Sequence, residues 1–166
     1  MAASPSRLEE TVADCQERTK MSAERLVKTF GFVPDEKLTW SPSETARSSL
    51  AIVAHCILAN RRIATAIRGE SVSSMPTAEE VEAASRQFEE TITDRAEAVR
   101  QLRASCAEVV DAIGTMTPER LATSPDSPFS AYPMRFWMNL PDMHMGNHAS
   151  QIDYLQTIWG DLADRW

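Results

Sequence analysis

Apolar side chains recur every three or four residues through most of this chain, and this spacing limits its fold more than any other feature. The spacing is typical of amphipathic α-helices, in which residues three and four apart share one face. Proline, glycine and capping residues divide the pattern into four long segments. We therefore predict an all-α fold, and at 166 residues we expect one domain that spans residues 1–166.

Local signals predict where the helices begin and end. Gly31 followed by Pro34 is expected to stop the first helix, and Ser43 to cap the second. Thr77 and Glu80 form a capping box for the third, whose apolar positions keep a near-heptad register. A single third helix of about 35 residues would be about 50 Å long. The four predicted helices cover residues 6–30, 44–68, 78–113 and 133–159.

A long connection without helical spacing joins the third and fourth predicted helices. It runs from Gly114 to Tyr132, and Thr117-Pro118-Glu119 within it suits one short helical turn. Aromatic residues cluster near its end, and they either pack into the core, which is the more common outcome, or cover a pocket. These residues are Phe129, Tyr132, Phe136 and Trp137. Further on, Pro141 either kinks the last helix or marks where its regular part begins.

Charge and composition disfavour two classes of partner. The net charge of −7 would repel a nucleic-acid backbone, and no dense run of lysine or arginine offsets it. No segment approaches the roughly 18 uninterrupted apolar residues of a membrane span, and the N-terminus lacks the apolar region of an export signal. Three widely separated cysteines, Cys15, Cys56 and Cys106, indicate reduced thiols. We expect a cytoplasmic protein that binds neither nucleic acid nor membrane.

Two histidines of the predicted last helix have the spacing of a metal-ligand pair. His144 and His148 are four residues apart and therefore project from one face of a helix. The only other histidine, His55, lies within the apolar pattern of the second helix. Taken alone, His55 is more often a buried side chain satisfied by a polar neighbour, and a four-residue spacing also arises by chance. Because facing helices of a bundle can bring all three together, the histidines could form one metal site.

The residues near the histidine pair restrict its chemistry. Residues 145–147, between the two histidines, include no acid, so the glutamate base of the His-Glu-x-x-His peptidases is missing. Gln151 is a candidate contact for an imidazole or for a substrate, although a surface amide is nearly as common. Cys56 points away from its neighbouring histidine around the helix and is not expected to be a ligand. The nearest acids could orient an imidazole, but both suit solvated surface roles better; they are Asp142 and Asp153.

Several short motifs together resemble the DinB/YfiT-like superfamily over nearly the whole chain. They are Trp40-Ser41-Pro42, Ser48-Ser49 ahead of Ile52-Val53-Ala54-His55, the helix-closing Gly69, and His144-x3-His148-x2-Gln151. The resemblance implies a bundle, and we predict an all-α four-helix bundle with a long connection between helices three and four. It also implies a divalent metal site whose ligands, matched position by position, are His55, His144 and His148. Members of this superfamily are often homodimeric, and some transfer low-molecular-weight thiols such as bacillithiol or mycothiol, or isomerise thiol adducts.

A centre of three imidazoles leaves at least one coordination position open, which is typical of catalytic rather than structural metal sites. Water or a thiol in that position loses its proton more readily. Zinc is the default ion, and nickel, iron or copper also suit nitrogen ligands. Two functions remain open. One is a metal-dependent enzyme, such as a thiol transferase or a hydrolase that acts on a small molecule, and the other is a non-catalytic, stress-associated metal-binding bundle.

Overall fold

Six α-helices and one turn of 3-10 helix (Asp35–Lys37) make up the fold, in a computed structural model that describes residues 6–70, 77–125 and 132–163. The helices are α1 (Arg7–Gly31), α2 (Ser49–Arg68), α3 (Ala78–Glu89), α4 (Arg95–Gly114), α5 (Pro118–Leu121) and α6 (Met134–Ile158). The predicted all-α class is confirmed.

The long helices α1, α2, α4 and α6 form a four-helix bundle. α1 packs against α4 and α6, and α2 packs against the same two helices, so α1 and α2 occupy opposite corners. Side chains from all four helices meet inside the bundle, where the fully buried residues include Leu26, Ile57, Leu102 and Ile152. Burying one side chain of this size contributes roughly 1.5–3 kcal/mol of transfer free energy. The hydrophobic spacing of the sequence therefore corresponds to the interior of a bundle, as predicted.

The strongly apolar composition of α2 reflects its position in the bundle. By length and composition alone this helix would qualify as a membrane span, with a mean hydropathy of 1.4. However, 56% of its apolar window is buried inside the protein, because α2 contacts α3, α4 and α6. An apolar helix that packs against three others is typical of a bundle core.

Both ends of α1 are satisfied by side chains. At the start, the Ser6 hydroxyl accepts a hydrogen bond from Glu9 N at 3.2 Å, and the Glu9 carboxylate accepts one from Ser6 N. At the end, Arg95 donates to the carbonyl of Phe30 at 2.6 Å and to a second carbonyl in the turn that follows. α1 ends at Gly31, as predicted, but Gly31 does not have the positive φ of a left-handed glycine. The backbone N–H of Phe32 and the guanidinium of Arg95 satisfy the last carbonyls instead.

α2 begins later than its sequence predicts. Ser48 rather than Ser43 is the N-cap, and its hydroxyl accepts a hydrogen bond from Ala51 N at 3.2 Å. Ser43 closes a separate turn, in which Ala46 N donates to its hydroxyl at 3.2 Å. Both serines can cap a helix, and the sequence alone does not distinguish them. The predicted start at Ser43 is wrong because the Ser43 hydroxyl closes the preceding turn instead. The predicted end is confirmed by Gly69, whose φ of 70° is left-handed.

The predicted third helix is two helices. Thr77 and Glu80 form the predicted capping box of α3, but α3 ends at Glu89 and α4 begins after Asp94. The Asp94 side chain accepts a hydrogen bond from Glu97 N at 2.8 Å and so caps a new helix. The prediction of one continuous helix is wrong because the Asp94 cap starts a new helix, even though the heptad register of apolar residues continues through it. As a result α4 belongs to the bundle, whereas α3 packs against α2 beside it.

The connection after α4 contains the short helix that its sequence predicts. Thr117 caps α5, and Pro118 lies in its first turn. The aromatic residue Phe129 lies outside the described residues, as do residues 1–5 and residues 71–76, for which the sequence predicts a polar link before the third helix.

α6 contributes aromatic side chains to the core and carries the histidine pair. Trp137 is 5% exposed in the core, whereas Tyr132, just before the helix, stacks on Phe136 with ring centroids 4.3 Å apart. Pro141 lies inside α6 with helix on both sides, so it does not mark the start of the regular part. Gly160 follows the helix with a positive φ of 93°, as a helix-ending glycine.

Candidate metal centre

α2 and α6 bring the three histidines together. His55 lies in the first half of α2, His144 and His148 lie in the middle of α6, and the two helices pack against each other. The Nε2 atom of His144 is 3.1 Å from that of His55 and 3.2 Å from that of His148. The structure therefore contains the predicted juxtaposition of the three rings.

The spacing of these nitrogens fits one divalent ion. Two nitrogens bound at about 2.0–2.1 Å lie about 2.9 Å apart at right angles and about 3.4 Å apart at tetrahedral angles. The observed separations of 3.1 and 3.2 Å fall between these limits. Among the described residues, one group of side chains could ligate an ion, with its ligand atoms within 4.8 Å of one another; it consists of His55, His144 and His148. Cys56, Asp142 and Asp153 are not part of this group.

Burial keeps the imidazoles in the form that binds metal. Loss of solvation lowers the pKa of His144 to about 3 and that of His55 to about 4, from an ordinary value of 6.5. Nearby positive charge, including Arg47, adds to both shifts. The pKa of His148 is also lowered, chiefly by burial. Because a metal ion binds neutral imidazole, all three side chains are competent ligands at neutral pH.

Gln151 contacts one of the histidines, where the helical spacing places it. Its Oε1 lies 2.7 Å from His148 Nδ1, so the amide oxygen accepts the Nδ1–H. With the proton held at Nδ1, the lone pair of Nε2 is directed at the other two rings. Gln151 also lines the adjacent cleft, which makes it a candidate contact for a substrate as well.

Sequence reasoning missed a buried carboxylate beside His55. Glu89 is 6% exposed, and its Oε1 lies 3.6 Å from His55 Nδ1. The same oxygen accepts a hydrogen bond from Arg47 Nε at 2.8 Å. In one continuous third helix Glu89 would belong to the charged outer face, so its burial is not expected from the pattern. The signal that could have revealed it is the sequence Thr-Ile-Thr-Asp at residues 91–94, which favours a break and a new cap.

A cleft of about 540 Å³ opens beside His148, between the segment that precedes α2 and the exposed side of α6. Its polar lining includes Thr45, Arg47, Asn147 and Gln151, and its apolar lining includes Ile52, Tyr154 and Leu155. A cleft of this volume suits a small molecule. The described members of the aromatic cluster do not line this cleft; they are Tyr132, Phe136 and Trp137. These aromatic side chains therefore do not cover it.

Solved structures share this fold at low sequence identity. The sibling lethal factor precursor DfsB is 15% identical, with a TM-score of 0.71 over 90% of this chain and 96% of that chain. A Streptococcus pneumoniae protein is 13% identical, with a TM-score of 0.69 over 95% of this chain and 94% of that chain. A mycothiol-dependent maleylpyruvate isomerase is 10% identical, with a TM-score of 0.67 over 85% of this chain and 60% of that chain. These likenesses concern the fold alone.

The sequence itself also matches a protein-family model. No curated protein matches the chain significantly. The profile of the DinB superfamily matches residues 16–152. That range includes both histidine-bearing segments and the bundle helix α4 between them, and the chain belongs to the DinB superfamily.

Proposed function

We propose that this protein is a metal-dependent enzyme acting on a small molecule, with His55, His144 and His148 as the ligands of one divalent ion. The observation behind the proposal is that three Nε2 atoms meet beside a cleft. Zinc suits three imidazoles, and nickel or iron also bind nitrogen ligands. The lowered pKa values support the proposal, because they keep the imidazoles neutral.

The proposed chemistry is activation of a low-molecular-weight thiol or of water. A divalent ion on three imidazoles supplies an open position in which a thiol or water has a lowered pKa. The chain itself holds His148 through Gln151 and offers no carboxylate at residues 145–147. Proton transfer to an acid between the ligands, as in the His-Glu-x-x-His peptidases, is therefore not part of the proposal.

The cleft would supply the binding surface for the substrate. Ile52 and Leu155 give it apolar contact area, while Arg47, Asn147 and Gln151 can donate hydrogen bonds. These groups suit a small molecule with an apolar part and an acceptor-rich polar part. We favour a thiol over water as the activated group because a protein of similar fold is described as a mycothiol-dependent isomerase.

The alternative function is a non-catalytic, stress-associated metal-binding bundle. The observation that favours it is the position of the histidines, because His55 and His144 belong to different helices. One ion bound by both would tie α2 to α6 and stabilise the fold whether or not a reaction takes place.

Elemental analysis of the protein as purified tests the metal site. We expect one ion per chain in the wild type and none in a His144→Ala variant. Met143→Ala is a matched control on the same helix, because Met143 is 49% exposed and is not part of the histidine cluster. A His144→Ala protein with unchanged metal content would contradict the proposed ligands.

Activity measurements separate the two functions. The wild type, the metal-stripped protein and the reloaded protein are each given a panel of thiols, including mycothiol and bacillithiol, with an alkylating electrophile. We expect thiol consumption that disappears with the metal and returns with it. The same background rate in all three samples would favour the non-catalytic function.

We also propose a cytoplasmic homodimer. The three buried, unpaired cysteines support a reducing compartment. Ile158 exposes apolar surface near the end of α6, outside the cleft, that a second copy could cover. Light scattering of the purified protein measures its mass, and a monomeric mass would contradict the dimer.

A further inference from the structure

Glu89 is an unusual carboxylate because it is buried at the edge of the bundle. It is the last residue of α3, the helix that packs against α2 beside the four bundle helices. Burying a carboxylate carries a large desolvation cost unless its partners compensate. The burial of Glu89 therefore needs an explanation.

Two arginines compensate for this burial. Arg47 Nε donates to Oε1 of Glu89 at 2.8 Å, and Arg86 Nη1 lies 3.8 Å from Oε2. Both arginines also contact Glu82 on the exposed side of α3, at 2.8 and 2.9 Å. Arg47 already has an accessible carboxylate partner in Glu82. Pairing with Arg47 therefore does not by itself explain why the second carboxylate, that of Glu89, is buried.

The buried position places the Glu89 carboxylate beside His55. Its Oε1 lies 3.6 Å from His55 Nδ1, a few tenths of an ångström beyond a direct hydrogen bond. In the part of the chain that the structure describes, His55 Nδ1 is buried and makes no hydrogen bond. The other ring nitrogen, Nε2, faces His144 at 3.1 Å. A small rotation of either side chain would give His55 Nδ1–H its acceptor.

We propose that Glu89 is a positioning residue for His55. Its carboxylate, held by Arg47, accepts the Nδ1–H of His55 and keeps the Nε2 lone pair directed at His144 and His148. Gln151 holds His148 in the same way, because its Oε1 accepts the Nδ1–H of that ring at 2.7 Å. A carboxylate in this position fixes the tautomer of an imidazole and makes it a stronger ligand.

Glu89 acts through His55 and is not itself a ligand, because it does not belong to the group of side chains that could hold one ion. The proposal gives α3 a part in the site through a single side chain at its last residue. Its consequence for metal binding rests on the proposed function, whereas the tautomer of His55 can be measured without any metal.

Nitrogen-15 NMR of the imidazoles in metal-free protein tests the positioning directly. We expect His55 to carry its proton at Nδ1 in the wild type and in a Glu82→Gln control, which keeps Glu89. In Glu89→Ala the proton should shift toward Nε2. A wild-type His55 protonated mainly at Nε2 would overturn the proposal. This measurement needs no variant, so it decides the question even if the Glu89→Ala protein does not fold. An unchanged tautomer in folded Glu89→Ala would overturn it too.

Zinc affinity, measured by competition with a chelator, tests the consequence. We expect Glu89→Ala to bind zinc about 10–100-fold more weakly than the wild type. Glu89→Gln, which keeps an acceptor oxygen, should lose less. Glu82→Gln should change the affinity by less than about fivefold, the range for an exposed ion pair. Equal losses of zinc affinity in Glu89→Ala and Glu82→Gln would mean that Glu89 acts only as an ion-pair partner of Arg47, and this would overturn the proposal. If the wild type binds no zinc, the metal site fails and the tautomer measurement still decides the role of Glu89.

Discussion

The Nε2 atoms of His55 and His144 lie 3.1 Å apart, although the two residues are separated by 89 positions in the sequence. They meet because α2 and α6 are neighbours in the bundle. Any ligand held by both side chains therefore links the two helices, and its binding free energy contributes to the stability of the whole fold.

Zinc should therefore raise the melting temperature of metal-free protein. At a zinc concentration 100-fold above the dissociation constant, binding stabilises a fold by about 2.7 kcal/mol. For a chain of this size that corresponds to a rise of roughly 5–10 °C. Differential scanning fluorimetry with and without zinc measures the shift. His148→Ala should lose it, and a shift of equal size in that variant would mean that zinc binds elsewhere.

The buried thiols should resist alkylation in the folded protein. Burial raises the pKa of Cys106 to about 11, and it also raises the pKa of Cys15. Because the thiolate is the reactive form and predominates only above the pKa, about one Cys106 in a thousand is ionised at pH 8. Mass spectrometry after iodoacetamide should show slow labelling of Cys106 that accelerates as the pH rises toward 11. In denaturant at pH 8 all three cysteines should react, and equally fast labelling of native Cys106 would contradict its burial.

Gly69→Ala should destabilise the protein. Gly69 has a φ of 70°, and a Cβ atom added there would lie 3.0 Å from Arg120 Nη2. The left-handed conformation alone costs a residue other than glycine about 1–2 kcal/mol. Gly31→Ala is the matched control, because Gly31 is the last residue of α1, does not have a positive φ, and its Cβ would meet nothing within 4 Å. Chemical denaturation should show a loss for Gly69→Ala and no loss for Gly31→Ala, because alanine is at least as favourable as glycine at a helical position.

Arg95→Ala should destabilise the protein by about 2–3 kcal/mol, since each lost hydrogen bond costs about 1 kcal/mol. Its guanidinium donates to carbonyls at the end of α1 and pairs with Asp35. Arg100→Ala serves as the control, because Arg100 is 70% exposed and pairs with Glu97 one turn away on the same helix. An exposed pair of this kind contributes about 0–1 kcal/mol. Similar losses for both variants in urea denaturation would show that Arg95 does not stabilise the end of α1.

The bundle and the pairing of His144 with His148 were predictable because both depend on spacing along a helix. Apolar residues three and four apart must share a face, and the same geometry projects His144 and His148 together. The position of His55 opposite them follows from the packing of α2 on α6. Periodicity does not specify that packing, and the family resemblance supplied it.

The helix boundaries and the role of Glu89 were less predictable because several residues compete for the same local structure. Ser43 and Ser48 are equally good caps in isolation, and only the turn that ends at Ala46 decides between them. Asp94 starts a new helix within a segment whose apolar residues continue the heptad register. That break determines which side of α3 is buried and therefore places Glu89 beside His55.

The distance along the chain between the histidines also sets when their cluster can form during protein synthesis. His55 emerges with α2, whereas its two partners emerge only with α6, after α4 and α5 have been made. Closing so long a loop costs more entropy than a local contact, so α6 is expected to dock late. A nascent chain that has not yet reached α6 has one imidazole of the three. Metal occupancy would therefore distinguish chains with a docked α6 from incomplete or partly folded ones.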